Sequence, residues 1–133
     1  MTLRWYTVVV DCRDPAALAE WWRETLDWAK VYEADDEVVI VPRHLLDESY
    51  AASTPWNAQN PGLVFGRSAD DKVVKNRLHI DLAPHTTDDR DAEITRLLER
   101  GATHVDIGQV DVPWVVLADP EGNEFCVLTS RDQ

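Results

Sequence analysis

Apolar and polar positions alternate in two long series along this chain, and each series predicts the same succession of elements. Trp5 to Cys12 is rich in β-branched residues and predicts a strand. Asp14-Pro15 supplies a cap and a first-turn proline for a helix over 15–27, whose apolar stripe is Leu18, Trp21, Trp22, Thr25 and Leu26. Adjacent Trp21 and Trp22 cannot both point at one core centre, so one of them is expected at the helix flank or an interface. Lys30–Glu33 and Glu37–Val41 predict two strands about an acidic turn at Asp35-Asp36. Residues 42–61, bounded by prolines with Pro55 inside, predict a long loop with a short helix around Leu45 to Ala51. Gly62–Gly66 predicts the next strand.

The second series repeats the first. Leu78–Ala83 predicts a strand, and a helix over 89–100 buries Ile94, Leu97 and Leu98 before Gly101 stops it. Thr103–Ile107, Trp114–Ala118 and Glu124–Thr129 predict three further strands. The order is strand-helix-strand-strand-strand twice, which sets Thr7 opposite His79. One domain over 1–133 is expected, with module one at about 3–68 and module two at about 75–131.

The last two strands flank Asp119-Pro120-Glu121-Gly122-Asn123-Glu124-Phe125-Cys126-Val127-Leu128. Asp-Pro opens a tight turn there, and Gly-Asn tolerates the positive φ that closes it. This hairpin, the stretch Lys75-Asn76-Arg77-Leu78-His79-Ile80-Asp81-Leu82 and the doubled element order resemble the glyoxalase/bleomycin-resistance/dioxygenase (vicinal oxygen chelate) superfamily, in its glyoxalase-like branch. The resemblance implies an α+β fold of two βαβββ modules forming a U-shaped cup, and a homodimer. It also implies a metal-ligand histidine at His79. In metal-using members the fourth residue after the turn glycine is a ligating glutamate, and Cys126 stands there. Thr7 stands in place of the first-module histidine, and Val64 to Gly66 offers no carboxylate. The expectation is therefore a protein without a catalytic metal or other cofactor; a divalent metal, if bound, would take His79 with Cys126.

Composition narrows the classes of partner. The net charge is −12 with an isoelectric point near 4.5, which repels phosphate and excludes nucleic acid and an anionic membrane surface as partners. No apolar run is long enough to span a bilayer, and Met1 to Val10 lacks the features of a secretory leader. Cys12 and Cys126 are the two cysteines, and they read as reduced thiols of a cytoplasmic protein.

Alternation then sorts the strand residues by face. Leu78, Ile80 and Leu82 should pack on the helix, whereas His79 and Asp81 should face the cup, with direct contact between those two strained. Val8 and Val10 should pack inward, and Thr7, Val9 and Asp11 face the cup. Cys126 should face it too, and Glu124 should be solvated at its rim. His79 and Asp81 are the candidate catalytic pair. Thr7, Val9, Asp11, Trp56, Asn76, Arg77, Trp114, Glu124 and Cys126 are the candidate ligand contacts. Six tryptophans suggest an aromatic-lined site for flat or apolar molecules, with Trp56 as a lid or subunit contact. Lys75, Asn76 and Arg77 interrupt the acidic background and would hold an anion or pair with nearby acids.

Three functions fit. The first is a protein that binds a small aromatic or hydrophobic molecule without a complete catalytic metal site. The second is a lyase or isomerase with His79 or Asp81 as base. The third is a metal-dependent glyoxalase or dioxygenase, which the residues at Thr7 and Cys126 argue against.

Overall fold

Strand β1 (Thr7–Cys12) runs straight into helix α1 (Pro15–Leu26) because Asp14 caps it, its Oδ1 accepting from the Ala17 amide at 3.2 Å. Asp27 ends the helix in the left-handed region, at φ 53°. These elements belong to a computed structural model that describes residues 3–133; the first two residues, part of the stretch read for a leader, lie outside them. The chain divides into two compact units, the first ending at Asp71 and the second starting at Lys72.

In the first unit α1 is followed by β2 (Ala29–Glu33), β3 (Glu37–Val41) and β4 (Gly62–Arg67). The sheet order is β1-β4-β3-β2, with β1 parallel to β4 and the other pairs antiparallel. Helix α1 packs on β2, β3 and β4. The core between them is Leu18, Val38, Ile40, Leu63 and Phe65, with Ile40 and Phe65 wholly buried. Gly62 permits the close approach of β3 and β4, since a Cβ there would meet the Ile40 carbonyl oxygen at 2.9 Å. Trp21 and Trp22 are both buried and meet edge to face at 5.1 Å, against the expectation for adjacent positions. A helix spread over three strands has a buried arc wide enough for both. Residues 42–61 hold a 3₁₀ turn (Arg43–Leu46), helix α2 (Glu48–Ser53) and a second turn (Trp56–Ala58). Trp5 precedes β1 and is 67% exposed, so it belongs to no core.

The second unit repeats the order with shorter strands: β5 (Ile80–Leu82), α3 (Arg90–Glu99), β6 (Thr103–His104), β7 (Val115–Ala118) and β8 (Glu124–Val127). Its sheet runs β5-β8-β7-β6, again with one parallel pair, β5 with β8. Asp89 caps α3 through the Ala92 amide at 3.2 Å. Ile94 and Leu97 of α3 are buried, as are Leu117, Phe125 and Val127 on one face of the sheet; Leu98 is half-buried. The α+β class and the two βαβββ modules expected from the sequence are both present.

Several strands fall short of their expected length, β1 and β8 by two residues each, and at β5 and β6 side-chain bonds accompany the shortening. Thr103–Ile107 pairs only over Thr103–His104 because the Gln109 amide donates to the Val105 carbonyl at 3.0 Å and accepts from the Ile107 amide at 2.7 Å. Leu78–Ala83 pairs only from Ile80; Leu78 is 89% exposed rather than packed on the helix. Upstream, the Asn76 amide is taken by the Glu124 carboxylate at 3.0 Å instead of a strand. No helix among the described residues is long and apolar enough to cross a membrane.

Candidate functional site

The closing turn sets the register on which the site depends. Asp119 is buried at its corner, and its Oδ1 accepts from the Glu121 and Asn123 amides, each at 3.0 Å. The Asn123 side-chain amide donates to the same carboxylate, and Gly122 turns the chain at φ 90°. The fixed hairpin pairs Cys126 with Val116 on one side and with Asp81 on the other. The Val105 amide donates to the Val116 carbonyl, which extends the row to the sheet edge. Asp81, Cys126, Val116 and Val105 therefore share one sheet face.

His79, just before β5, joins this face. Its Nε2 lies 3.1 Å from Asp81 Oδ1, with the two side chains 42% and 48% exposed. The direct contact that alternation made strained is thus formed, because His79 stands outside the regular strand and its backbone is not held to the pleat spacing. Cys126 is buried beneath the pair, as a cup-facing residue should be placed by alternation but with its thiol out of solvent. Burial pushes that thiol up from its ordinary pKa, and the Asp81 charge and hydrogen bond push it the same way; the Lys75 ammonium opposes them.

Nitrogen, oxygen and sulfur ligand atoms of His79, Asp81 and Cys126 all lie within 4.8 Å of one another. A thiol in such a set suits a borderline-soft ion of the zinc type, with three protein ligands and a fourth position open, better than an oxygen-seeking ion.

Glu124 sits on the same face but is not a solvated rim residue. Its side chain is 10% exposed, and its carboxylate accepts from Lys72 Nζ at 2.8 Å and from the Asn76 amide. Burial alone would raise its pKa; the Lys72 hydrogen bond, the backbone amides of Asn76 and Glu124 and the Lys72 charge outweigh that and hold it below the usual carboxylate range. Glu124 thus ties residues 72–76 to the sheet, and Asn76 contributes its backbone there. Lys75 Nζ donates to the Asn76 carbonyl, and Arg77 makes no ion pair among the described residues.

Trp114, 40% exposed, lies in a groove of about 510 Å³ with His104, Val105, Asp106, Gln109 and Val116. His104, Asp106 and Gln109 were not singled out in the sequence. The alternation of His104 with Asp106 ahead of Gln109 was the available signal, hidden because the whole run read as strand. Lys72, the base directly after Asp70-Asp71, was missed in the same way.

Thr7, Val9 and Asp11 lie in the first unit, on the side of β1 away from its core; Val9 is 59% exposed and the Thr7 hydroxyl donates to the Val8 carbonyl. Trp56 is 54% exposed and tilted against Tyr6, with the Arg4 guanidinium 4.8 Å from its ring and 5.0 Å from that of Tyr6. Arg4 also donates to the Gln59 side chain and the Asn60 carbonyl, so Trp56 is fastened to its own module.

Doubled βαβββ modules of this topology define a fold of the glyoxalase type. The chain belongs to the glyoxalase-like domain family, whose model matches residues 7–128. Among solved structures it is similar to a glyoxalase/bleomycin resistance protein/dioxygenase family enzyme from Burkholderia phytofirmans PsJN, at 13% identity over 97% of this chain and 100% of that one, with a TM-score of 0.67. It is also similar to the fosfomycin resistance protein FosX from Mesorhizobium loti, at 13% identity over 99% and 96% of the two chains and a TM-score of 0.65. FosX from Listeria monocytogenes, in complex with Mn(II) and a sulfate ion, aligns at 10% identity over 99% and 94%, with a TM-score of 0.68. At such identities these structures establish the fold alone. No curated protein matches the chain.

Proposed function

We propose that this protein binds a small aromatic or hydrophobic molecule on the strand face of its second module, with His79, oriented by Asp81, contacting the polar end of that molecule. The observation that carries the reading is the 3.1 Å His79–Asp81 pair, half exposed above an apolar floor of Cys126 and Val116. A polar pair at the edge of an apolar surface fixes the orientation of a ligand whose affinity comes from burial. The test is amide chemical-shift mapping of chelator-treated protein against a panel of aromatic metabolites and antibiotics. One-to-one binding that moves His79, Asp81 and Cys126 and leaves the compound unchanged is the expected result. A panel that moves none of them overturns the reading. A compound that is turned over makes the protein a lyase or isomerase instead, and His79→Ala then lowers the rate by about 10²–10⁴-fold. The homodimer belongs to the same proposal and is measured by sedimentation.

The three-donor cluster favours a second reading, a zinc-type ion held by His79, Asp81 and Cys126. When bound, such an ion supplies Lewis-acid polarisation of a ligand oxygen. In that state Asp81 and His79 would serve as ligands rather than as a proton-transfer pair. Calorimetric titration with Zn²⁺, Ni²⁺, Mn²⁺ and anaerobic Fe²⁺, alongside His79→Ala, separates the readings. Stoichiometric binding lost in the variant replaces the metal-free site.

A further inference from the structure

The groove around Trp114 adds a second recognition element at the β6 edge of the same sheet. Trp114 stands two residues before Val116 in β7, and Val116 pairs directly with Cys126. Val105 and Val116 of the groove share the sheet face that carries Asp81, with Val116 two strand spacings, or about 10 Å, from it, whereas His104 pairs with Leu117 of the other face, so the groove lies over the β6 edge of the sheet. Its volume is about 510 Å³, and it is broadly open to solvent. Its wall is formed in advance. Both ends of the Gln109 amide hold the backbone of 105–107, and Asp106 Oδ1 accepts from the Gly108 amide at 2.8 Å. Asp106 Oδ2 takes no hydrogen bond among the described residues, and Asp106 lines the groove together with the exposed Trp114. Val105 and Val116 give an apolar floor, and the His104 side chain makes no hydrogen bond among the described residues.

The charge at the groove selects the kind of ring that fits. A carboxylate at the rim, in a chain of net charge −12, repels anions and favours a cation. The indole face is the best aromatic partner for such a cation, and it stacks on any flat ring. We infer that the groove of His104, Asp106 and Trp114 seats a flat, cationic heteroaromatic group, and that the natural ligand is an elongated molecule carrying this group at one end and an oxygen function at the other. The inference rests on the second-module binding site proposed above and names the ligand class that site takes.

The probe is 4-aminoquinoline, a planar cation at neutral pH, set against quinoline-4-carboxylate, a planar anion of similar size. Because the chain has six tryptophans, the readout is the assigned indole N–H of Trp114 with the amides of 104–116, followed by NMR titration. The cation is expected to move these resonances and the anion to bind at least about tenfold more weakly. Trp114→Ala should weaken the cation about tenfold or more. Asp106→Asn, an exposed and isosteric change, should weaken it severalfold and remove its sensitivity to salt. Equal binding of the two probes, or unchanged affinity in both variants, overturns the inference. Panel compounds that move His79, Asp81 and Cys126 while 104–116 stay still also overturn it, yet leave the proposed site standing. Movement confined to 104–116 supports the groove and counts against the His79 site.

Discussion

The two modules share an element order and a sheet topology but differ in what holds them together. Module one has strands of six, five, five and six residues, and it buries Leu18, Trp21, Trp22, Ile40 and Phe65 beneath one helix. Module two has strands of three, two, four and four, and leaves Val73, Val74, Leu78 and Val110 more than three-quarters exposed. In both modules side chains close backbone groups that the ladders leave over: Arg4 on Asn60 and Arg67 on Arg13 in the first, Glu124 on Asn76, Gln109 on Val105 and Ile107, and Asp119 on Glu121 and Asn123 in the second. His79 and Trp114 each stand just before a strand, and Asp81 lies within β5. The first module has the longer strands and the second carries the candidate site, and each difference can be measured.

The largest expected effect is in the packing. Phe65→Ala in module one should cost about 3–5 kcal/mol by urea denaturation. Phe125→Ala, equally buried in module two, should fall toward the lower end of that range, because short strands relax more readily around a cavity. Equal costs, or a larger one for Phe125, would break the contrast between the modules.

Next in size is the turn that registers Cys126. Asp119→Ala removes an acceptor shared by two backbone amides and the Asn123 side chain, and should cost about 1–3 kcal/mol. Asp119→Asn keeps one oxygen acceptor and should cost less. If the two substitutions are equal, the turn depends on its backbone alone and the side-chain account of module two weakens.

A smaller, pH-dependent effect belongs to Glu124. Its folded pKa is depressed, so its contribution is present above the unfolded carboxylate value, about 4.3, and is lost as pH falls through the folded value. Glu124→Gln should therefore be less stable than the parent at neutral pH and converge on it in acid. Lys72→Met should show the same convergence, since it removes the partner. Parallel stability curves across that window would assign the loss to packing instead of charge.

How far the site was legible in the sequence follows the same division. The strands and main helix of module one were read to within two residues, since period, caps and proline placement all act locally: Asp14-Pro15 opened the helix and Glu37–Val41 was the strand observed, while the short helix expected around Leu45 to Ala51 lies at Glu48–Ser53. In module two the face of Asp81 and Cys126 was legible from alternation, and the doubled order gave the family. The His79–Asp81 contact was not, because alternation assumes a regular strand where the chain has already left one. Nor was the role of Glu124, whose partners lie 48 and 52 residues away. A side chain that bonds distant backbone leaves no periodic trace. The Trp114 groove was hidden likewise, since Gln109 ends a strand that composition extends to Ile107.

The smallest effect tests the electrostatics of the site itself. Burial and the Asp81 carboxylate both disfavour the Cys126 thiolate, so iodoacetamide should modify it slowly at neutral pH and faster only above the ordinary thiol range. Asp81→Asn removes the charge but not the burial, and should shift the rate–pH profile toward lower pH without bringing it to that of a free thiol. Cys12, the other buried cysteine, is followed in the same experiment as a second site when the modified peptides are separated by mass. A profile unchanged by Asp81→Asn would mean that Asp81 does not reach the thiol electrostatically. The cluster would then be three neighbours rather than one site, and the contrast between a packed module and a chemical one would rest on His79 and Asp81 alone.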